Sequence, residues 1–349
     1  VKRRHLVAAT AALLATPSLT APLTTPALAQ ARTRVKLVLN WRYQGPQGFF
    51  FLAEDRGYFR EAGVDVAIDQ GEGSAAAVTK VATGAYDIGF GDINAAIALA
   101  ATRPAEAPLG VMMLYNRPPF AIAVRADGPI RTPKDLEGRT IGGPANDGAL
   151  RLFPAFARLA GIDAAKVTVT NMQPQLREQM LNRGQVDGVF GFINTIRFSA
   201  RLIGTDADTA YRWIAYGDYG MDLYSNCIVV SRALARDNPA AVRGFLAALT
   251  RGLADMLREP DAAVAAVARR EPLINIAVER ARLDATVRDE MNHPEIGTIG
   301  LGDVTEARFV RAIEILAEAQ NLPRRPGFEE VFSRAFLPPL SARPTRVLG

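Results

Sequence analysis

The sequence predicts an α/β protein of two lobes built to a similar plan, and three observations carry that expectation. From Val35 to about residue 217, short β-rich apolar runs alternate with helical patterns, the signature of βαβ units and of largely parallel sheets covered on both faces. The plan runs twice, because "GAYDIGFGD" (84–92) and "GQVDGVFGF" (184–192) share Gly, Asp, Phe and Gly at matching places. The chain has 349 residues, 49% of them apolar, which is enough for two domains of ordinary size, each with its own core.

The first series begins with strand "VKLVLNW" (35–41), which stops at the polar, Gly- and Pro-containing "RYQGPQG". Helix "GFFFLAEDRGYFREAG" (48–63), strand "VDVAIDQ" (64–70), helix "SAAAVTKVATGA" (74–85), strand "YDIGFGD" (86–92), helix "INAAIALAA" (93–101) and strand "LGVMMLYN" (109–116) follow. After "FAIAVR" (120–125) the second series reads "RTIGG", "GALRLFPAFARLAG", "KVTVTNM", "LREQMLNRGQ", "VDGVFGF", "TIRFSARLIG" and "YRWIAYG". The repeated Gly can cap a helix and the repeated Asp can start the next strand, so both copies read as helix, turn, strand. The strands "FAIAVR" and "NCIVVS" (226–231) bracket the second series, so the chain is expected to leave lobe 1 along one and return along the other, a two-strand hinge beside a cleft. The tail after "NCIVVS" is helical and adds no sheet pattern.

Composition narrows the function. Lys2, Arg3 and Arg4 precede an apolar run from Leu6 to Leu14, and Ala27-Leu28-Ala29 gives a small-x-small cleavage pattern, so residues 1–29 read as an export signal with the twin-arginine route left open. No later run is long and apolar enough to span a bilayer. Those three cations supply much of the formal net charge of +5, and the other arginines are interspersed with acids, so nucleic acid is not expected as a partner. The chain has one cysteine, Cys227, and two histidines, of which His5 leaves with the signal. Neither a Cys/His metal cluster nor a well-placed triad can be built from that set, so no metal, no cofactor and no catalytic residue are expected. The Gly-rich "IGGPANDG" lacks a phosphate-loop ending and reads either as a tight turn or as an anion-binding helix start, with Asn146 and Asp147 as natural N-caps.

"LNWRYQGPQGFFFLAEDRGYF" (39–59) concentrates the aromatics, and with "REAGVDV" it resembles the opening of the periplasmic binding proteins related to the thiamine-pyrimidine-precursor synthase. "TPKDLEGRTIGGP" and "NPAAVRGFLAAL" are also typical of that superfamily, which includes sulfonate, taurine and nitrate binders of ABC importers. The resemblance implies a type II-like two-lobed fold that closes on a small solute and is presented, as a monomer, to an ABC permease in the inner membrane. The expected division is lobe 1 at 30–123 and 228–349, and lobe 2 at 124–227.

Open α/β sheets bind ligands beyond the carboxyl ends of their strands. On that rule Trp41, Tyr43, Tyr219 and Tyr224 are the stacking candidates, and Asn40, Gln44, Gln47, Asp92, Asn94, Asn146, Asp147, Asn194, Asp218 and Asn226 the orienting ones. Phe50 to Phe59 read as helix aromatics of the core. The departures from the resemblance matter as well. The family's opening Asp is Asn40 here, its His falls on Gln47, its return-segment Glu falls on Asn226, and the synthase's cysteine-rich motif has no counterpart. Each acid replaced by an amide gives a group that donates as well as accepts. The expectation is an exported solute-binding protein for a small, flat, heteroaromatic compound similar to a thiamine pyrimidine precursor. Alternatives are a binder of a sulfonate, nitrate or aromatic carboxylate, a pyrimidine-synthase-like enzyme, or a sensor partner of a membrane kinase.

Overall fold

In a computed structural model, which describes Val1 and residues 32–348, ten strands follow one another among the described residues. They are β1 (Thr33–Val38), β2 (Val64–Asp69), β3 (Ile88–Asp92), β4 (Leu109–Met113), β5 (Phe120–Arg125), β6 (Thr140–Gly143), β7 (Thr168–Asn171), β8 (Gly188–Phe192), β9 (Tyr211–Ala215) and β10 (Asn226–Val230). The first sheet has the order β2-β1-β3-β10-β4 and the second β7-β6-β8-β5-β9, so the same plan occurs twice. In the first, β1 runs parallel to β2 and β3 while β10 runs antiparallel to β3 and β4. In the second, β6 runs parallel to β7 and β8 while β5 runs antiparallel to β8 and β9. Helices cover the faces, and β3, β4, β8 and β10 are buried along their whole length. That burial explains why they read as unbroken apolar runs.

The repeated segments land on equivalent central strands, β3 and β8, and the shared residues do the same work in both. Gly84 and Gly184 end their helices at φ 75° and 66°, a left-handed turn that glycine enters without steric cost. The carboxylates that follow then tie the strand start to its neighbour: Lys36 N–H donates to Asp87 Oδ2 and Thr140 N–H to Asp187 Oδ2, each at 2.8 Å.

The aromatic stretch is mostly core. Phe49, Phe50 and Phe51 are at most 1% exposed on the helix Gly48–Asp55. Phe49 stacks on Phe50 with ring centroids 4.2 Å apart, Phe50 meets Phe90 of β3 at 5.5 Å, and Phe59 stacks on Phe245 at 5.2 Å. The hydrophobic core runs without a break from the first sheet into the second, so the two lobes are packed together.

The chain passes to the second sheet after β4 and returns after β9, because β5 pairs wholly within the second sheet and β10 wholly within the first. The expected lobe limits at 123/124 and 227/228 therefore fall inside β5 and β10. The helical tail reaches further than expected. Helices Pro239–Arg258 and Pro260–Ala268 pack on Gly48–Asp55, but Ile276–Thr286 packs against Ile193–Leu202 of the second lobe, with Val278 and Ala285 closing on Phe198. Among the described residues no helix is long and apolar enough to cross a membrane. The expected export signal, 1–29, lies outside the described residues apart from Val1.

Candidate functional site

The carboxyl ends of β1 and β3 from one sheet and of β6 and β8 from the other face each other across the lobe boundary. Asn40 and Trp41 leave β1 there. The Asn40 Oδ1 accepts from Gln47 Nε2 at 2.9 Å, and Gln47, 1% exposed, also accepts from Gln44 N–H at 3.2 Å. The amides at 44 and 47 thus fix the turn that sets Trp41. The indole borders two spaces. On its inner side lies a void of about 20 Å³, room for about one water, between Asn40, Trp41, Ser74, Asp147, Phe192 and Thr195. On its outer side a cavity of about 750 Å³ reaches past Glu72 and Asn146 to Met172, Gln175 and Met180. Arg177 stands behind the ring, its guanidinium carbon 6.0 Å from the centroid. Its Nε and Nη2 donate to Glu178 Oε1 at 2.9 and 2.7 Å, so its charge is already paired.

Glycines bring the lobes this close. Gly73 has φ 149°, and a Cβ there would stand 2.1 Å from the Asn146 carbonyl oxygen. A Cβ on Gly148 would stand 2.7 Å from Ser74 Oγ and 3.3 Å from Asp92 Oδ2. Any side chain at either place would hold the lobes apart.

Two carboxylates flank this contact. Asp92 caps the helix Ile93–Thr102, its Oδ1 accepting from Asn94 N–H at 3.2 Å and from Asn94 Nδ2 at 2.7 Å. Burial pushes its pKa up to about 7 against the pull of those bonds, with the charge of Asp147 adding to the rise. Asp147 caps the helix Gly148–Leu159 through Ala149 N–H at 2.8 Å and lies 3.9 Å from Arg177 Nη1. Burial raises it too, and Arg177 restrains the rise. Asn226 opens β10 directly opposite Asp92 in the register. It is fully buried, and neither polar atom of its side chain has a partner among the described residues.

The remaining candidates lie elsewhere. Tyr43 lines neither of the spaces beside Trp41: its hydroxyl donates to the Ile68 carbonyl at 2.7 Å and its ring packs edge-on against Phe51. Tyr224 is buried under Arg308, 4.1 Å from its ring, and donates to Glu295 Oε2 at 2.8 Å. Asp218 and Tyr219 are exposed on the turn Tyr216–Tyr219, with the Tyr219 ring against the edge of Phe156. Asn94 supports Asp92 and donates to the Tyr224 carbonyl at 2.7 Å. Asn194 joins the lobes further along, donating to Glu290 Oε1 at 3.1 Å beside a second cavity of about 680 Å³. Burial pushes Glu290 up to about 8.

Ser74, Arg177, Phe192, Thr195 and Gly148 complete the cleft and were not among the candidates. Ser74 opens a helix just after the loop that follows β2 and Phe192 ends β8, strand-end positions that pointed to them, whereas Arg177 opens an ordinary charged helix and carries no local signal.

Comparison with known proteins agrees with this architecture. Over 323 residues the chain is 25% identical to the riboflavin-binding protein RibY of Chloroflexus aurantiacus, covering 91% of this chain and 89% of that protein. It is 23% identical over 248 residues to the 4-amino-5-hydroxymethyl-2-methylpyrimidine phosphate synthase of Legionella pneumophila, covering 70% and 76%. The alkanesulfonate-binding protein SsuA of Xanthomonas axonopodis, solved with MOPS, superposes with a TM-score of 0.65 at 16% identity, covering 87% of this chain and 99% of that one, and so shares the two-lobed fold. The model of the family described as NMT1/THI5 like matches residues 47–263, which takes in the Gln47 turn, both central strands and the return through β10, and the chain belongs to that family.

Proposed function

We propose that this protein is an extracytoplasmic solute-binding protein of an ABC importer, and that it captures a small, flat heteroaromatic compound between its lobes. The observation that carries the reading is the position of Trp41, a nearly buried indole at the lobe boundary with a cavity of ligand size on one side and buried polar groups on the other. A ring stacked on Trp41 gains apolar burial, and closure of the lobes covers its other face. The RibY relative supports a flat ring system as cargo. An ABC permease in the inner membrane is the corresponding partner.

The charge of the cleft separates this reading from the binders of sulfonates, nitrate or carboxylates. Asp92 and Asp147 flank it, and the nearest cation, Arg177, is held by Glu178. Where Asp92 is ionised, above about pH 7, an anion about 4 Å from it meets roughly 1–4 kcal/mol of repulsion, which disfavours such cargo there. The enzyme reading rests on the synthase relative. Cys227 gives it no support, because burial pushes its thiol up and away from the reactive thiolate. The test is mass spectrometry of compounds released from the protein purified out of its native host, followed by calorimetry with the compound found. Recovery of an aliphatic sulfonate, or turnover of the bound compound, would overturn the reading.

A further inference from the structure

We infer that Ser74, Asp92 and Asn226 form a polar floor that reads the imide edge of a flat ring, an N–H set between two carbonyl oxygens. The inference rests on the solute-binding reading above and narrows its ligand class. Three separate elements supply the three side chains. Ser74 starts the helix Ser74–Ala82, Asp92 ends β3, and Asn226 starts β10 in register with Asp92. Directly paired residues of adjacent strands carry their side chains on the same face, so Asn226 and Asp92 are neighbours. Ser74 Oγ and Asp92 Oδ2 border the same point from the other side, the place a Cβ of Gly148 would take.

All three are nine-tenths or more buried, at 4%, 1% and 0% exposure. Their hydrogen-bonding capacity is largely unused. Ser74 Oγ and both polar atoms of the Asn226 side chain have no partner among the described residues, and the two bonds Asp92 accepts from Asn94 both fall on Oδ1, which leaves Oδ2 free. A buried polar group without a partner costs about 1–3 kcal/mol, so three such groups in one place mark a surface that something polar completes. From the second lobe Gly148 faces Ser74 and Asp92, and Asp147, Phe192 and Thr195 border the void at Ser74. When the lobes part, Gly148 withdraws and the three groups face the open cleft together.

Their chemistry defines the complement. The Ser74 hydroxyl and the Asn226 amide donate, and Asp92 between them, once ionised above about pH 7, only accepts. Donor, acceptor, donor matches carbonyl, N–H, carbonyl. The Asn226 amide can present either atom, so Asp92 is the discriminating group. It accepts from a ring N–H and repels an unprotonated ring nitrogen such as an aminopyrimidine presents.

The test uses riboflavin, which has an imide edge, its N3-methyl derivative, and 4-amino-5-hydroxymethyl-2-methylpyrimidine, with affinities by calorimetry on the full protein at about pH 8.5, where Asp92 is ionised. Riboflavin should bind, N3-methylation should weaken binding about a hundredfold, and Ser74→Ala about tenfold. Asp92→Asn should weaken riboflavin about a hundredfold, because the bonds to Asn94 hold its Oδ1 and turn its amide N–H toward the ligand's N–H, while binding of the aminopyrimidine improves. The methylated ligand needs no variant, so poor folding of Asp92→Asn does not spoil the test. Equal affinity for riboflavin and its N3-methyl derivative overturns the inference and leaves the solute-binding reading standing, as does a native ligand without a ring N–H between carbonyls. A purified protein that binds none of the three and releases no small molecule overturns both.

Discussion

Arg158 reaches Asn321 across the lobe boundary, its Nη1 donating to Asn321 Oδ1 at 2.7 Å and to the Glu318 carbonyl at 2.8 Å. Among the described residues Asn321 is the non-glycine residue with a left-handed backbone, φ 52°, just past the end of the helix Glu306–Ala319. Asn tolerates that conformation better than most residues, and here it also turns the side chain toward Arg158. The pair fastens the second lobe to the tail helix on a different side of the molecule from the Asn194–Glu290 contact.

Arg158→Ala should therefore shift the free protein toward an open form. Affinity for the cargo is expected to fall about threefold to tenfold, since the lost bonds are partly exposed, with little change in melting temperature. Small-angle scattering of the ligand-free variant should give a larger radius of gyration than wild type. An unchanged radius and affinity would remove this contact from the closure.

Gly148→Ala tests how closely the lobes must meet. The added methyl would stand 2.7 Å from Ser74 Oγ and 3.3 Å from Asp92 Oδ2 of the first lobe, so full closure is hindered. Affinity should drop at least about tenfold while the fold is retained, as calorimetry and circular dichroism would show. Wild-type affinity in this variant would mean that the ligand-bound lobes stay further apart than they are here.

Trp41→Ala and Phe51→Ala separate cleft from core. The indole can contribute roughly 1–3 kcal/mol of stacking, so its loss should weaken binding about tenfold to a hundredfold with a small effect on stability. Phe51 is 1% exposed and packed, and its truncation should cost about 3–5 kcal/mol of stability. Thermal unfolding with calorimetry on both variants reads the contrast. If Trp41→Ala unfolds the chain while the folded remainder binds as before, the indole is core.

Stability should fall as pH rises from mildly acidic to alkaline. Burial pushes Asp92 up to about 7 and Glu290 up to about 8, both above their ordinary values, so the folded chain holds protons that the unfolded chain has released. That stabilisation is fully present below the ordinary carboxylate range and is lost as pH passes through about 7 for Asp92 and about 8 for Glu290. The denaturant midpoint should be higher near about pH 5 than near about pH 9, and the double substitution Asp92→Asn, Glu290→Gln should flatten the difference. A profile of equal slope in the double variant would place the titrating groups elsewhere.

The duplicated plan was legible because local chemistry repeats wherever the geometry repeats, as Gly84 and Asp87 show beside Gly184 and Asp187. Trp41 was legible for a similar reason, since an apolar strand stops there at a polar turn. Tyr43, two residues on, was not: its direction depends on a turn set by contacts between the Asn40 and Gln47 side chains, and it ends on Ile68 instead. Tyr224 and Arg308 find each other from distant parts of the sequence, and no local pattern records such a pairing. Arg177 looks in sequence like any surface arginine, and only the fold puts it behind the indole. The reach of the tail to the second lobe was hidden for the same reason, because the apolar face of Ile276–Thr286 does not say which helix it covers.

The placement of β10 between β3 and β4 bears on how the polypeptide is made. Synthesis delivers β1 to β4 early, but the first sheet lacks its antiparallel partner strand until residue 230 has left the ribosome, more than a hundred positions after β4. The amino-terminal third therefore emerges as an incomplete sheet that cannot close around its own core. A nascent chain of that kind keeps its first sheet incomplete for most of its translation. Asn226 arrives with the same closing strand, so the floor of the cleft is assembled only when the fold as a whole is.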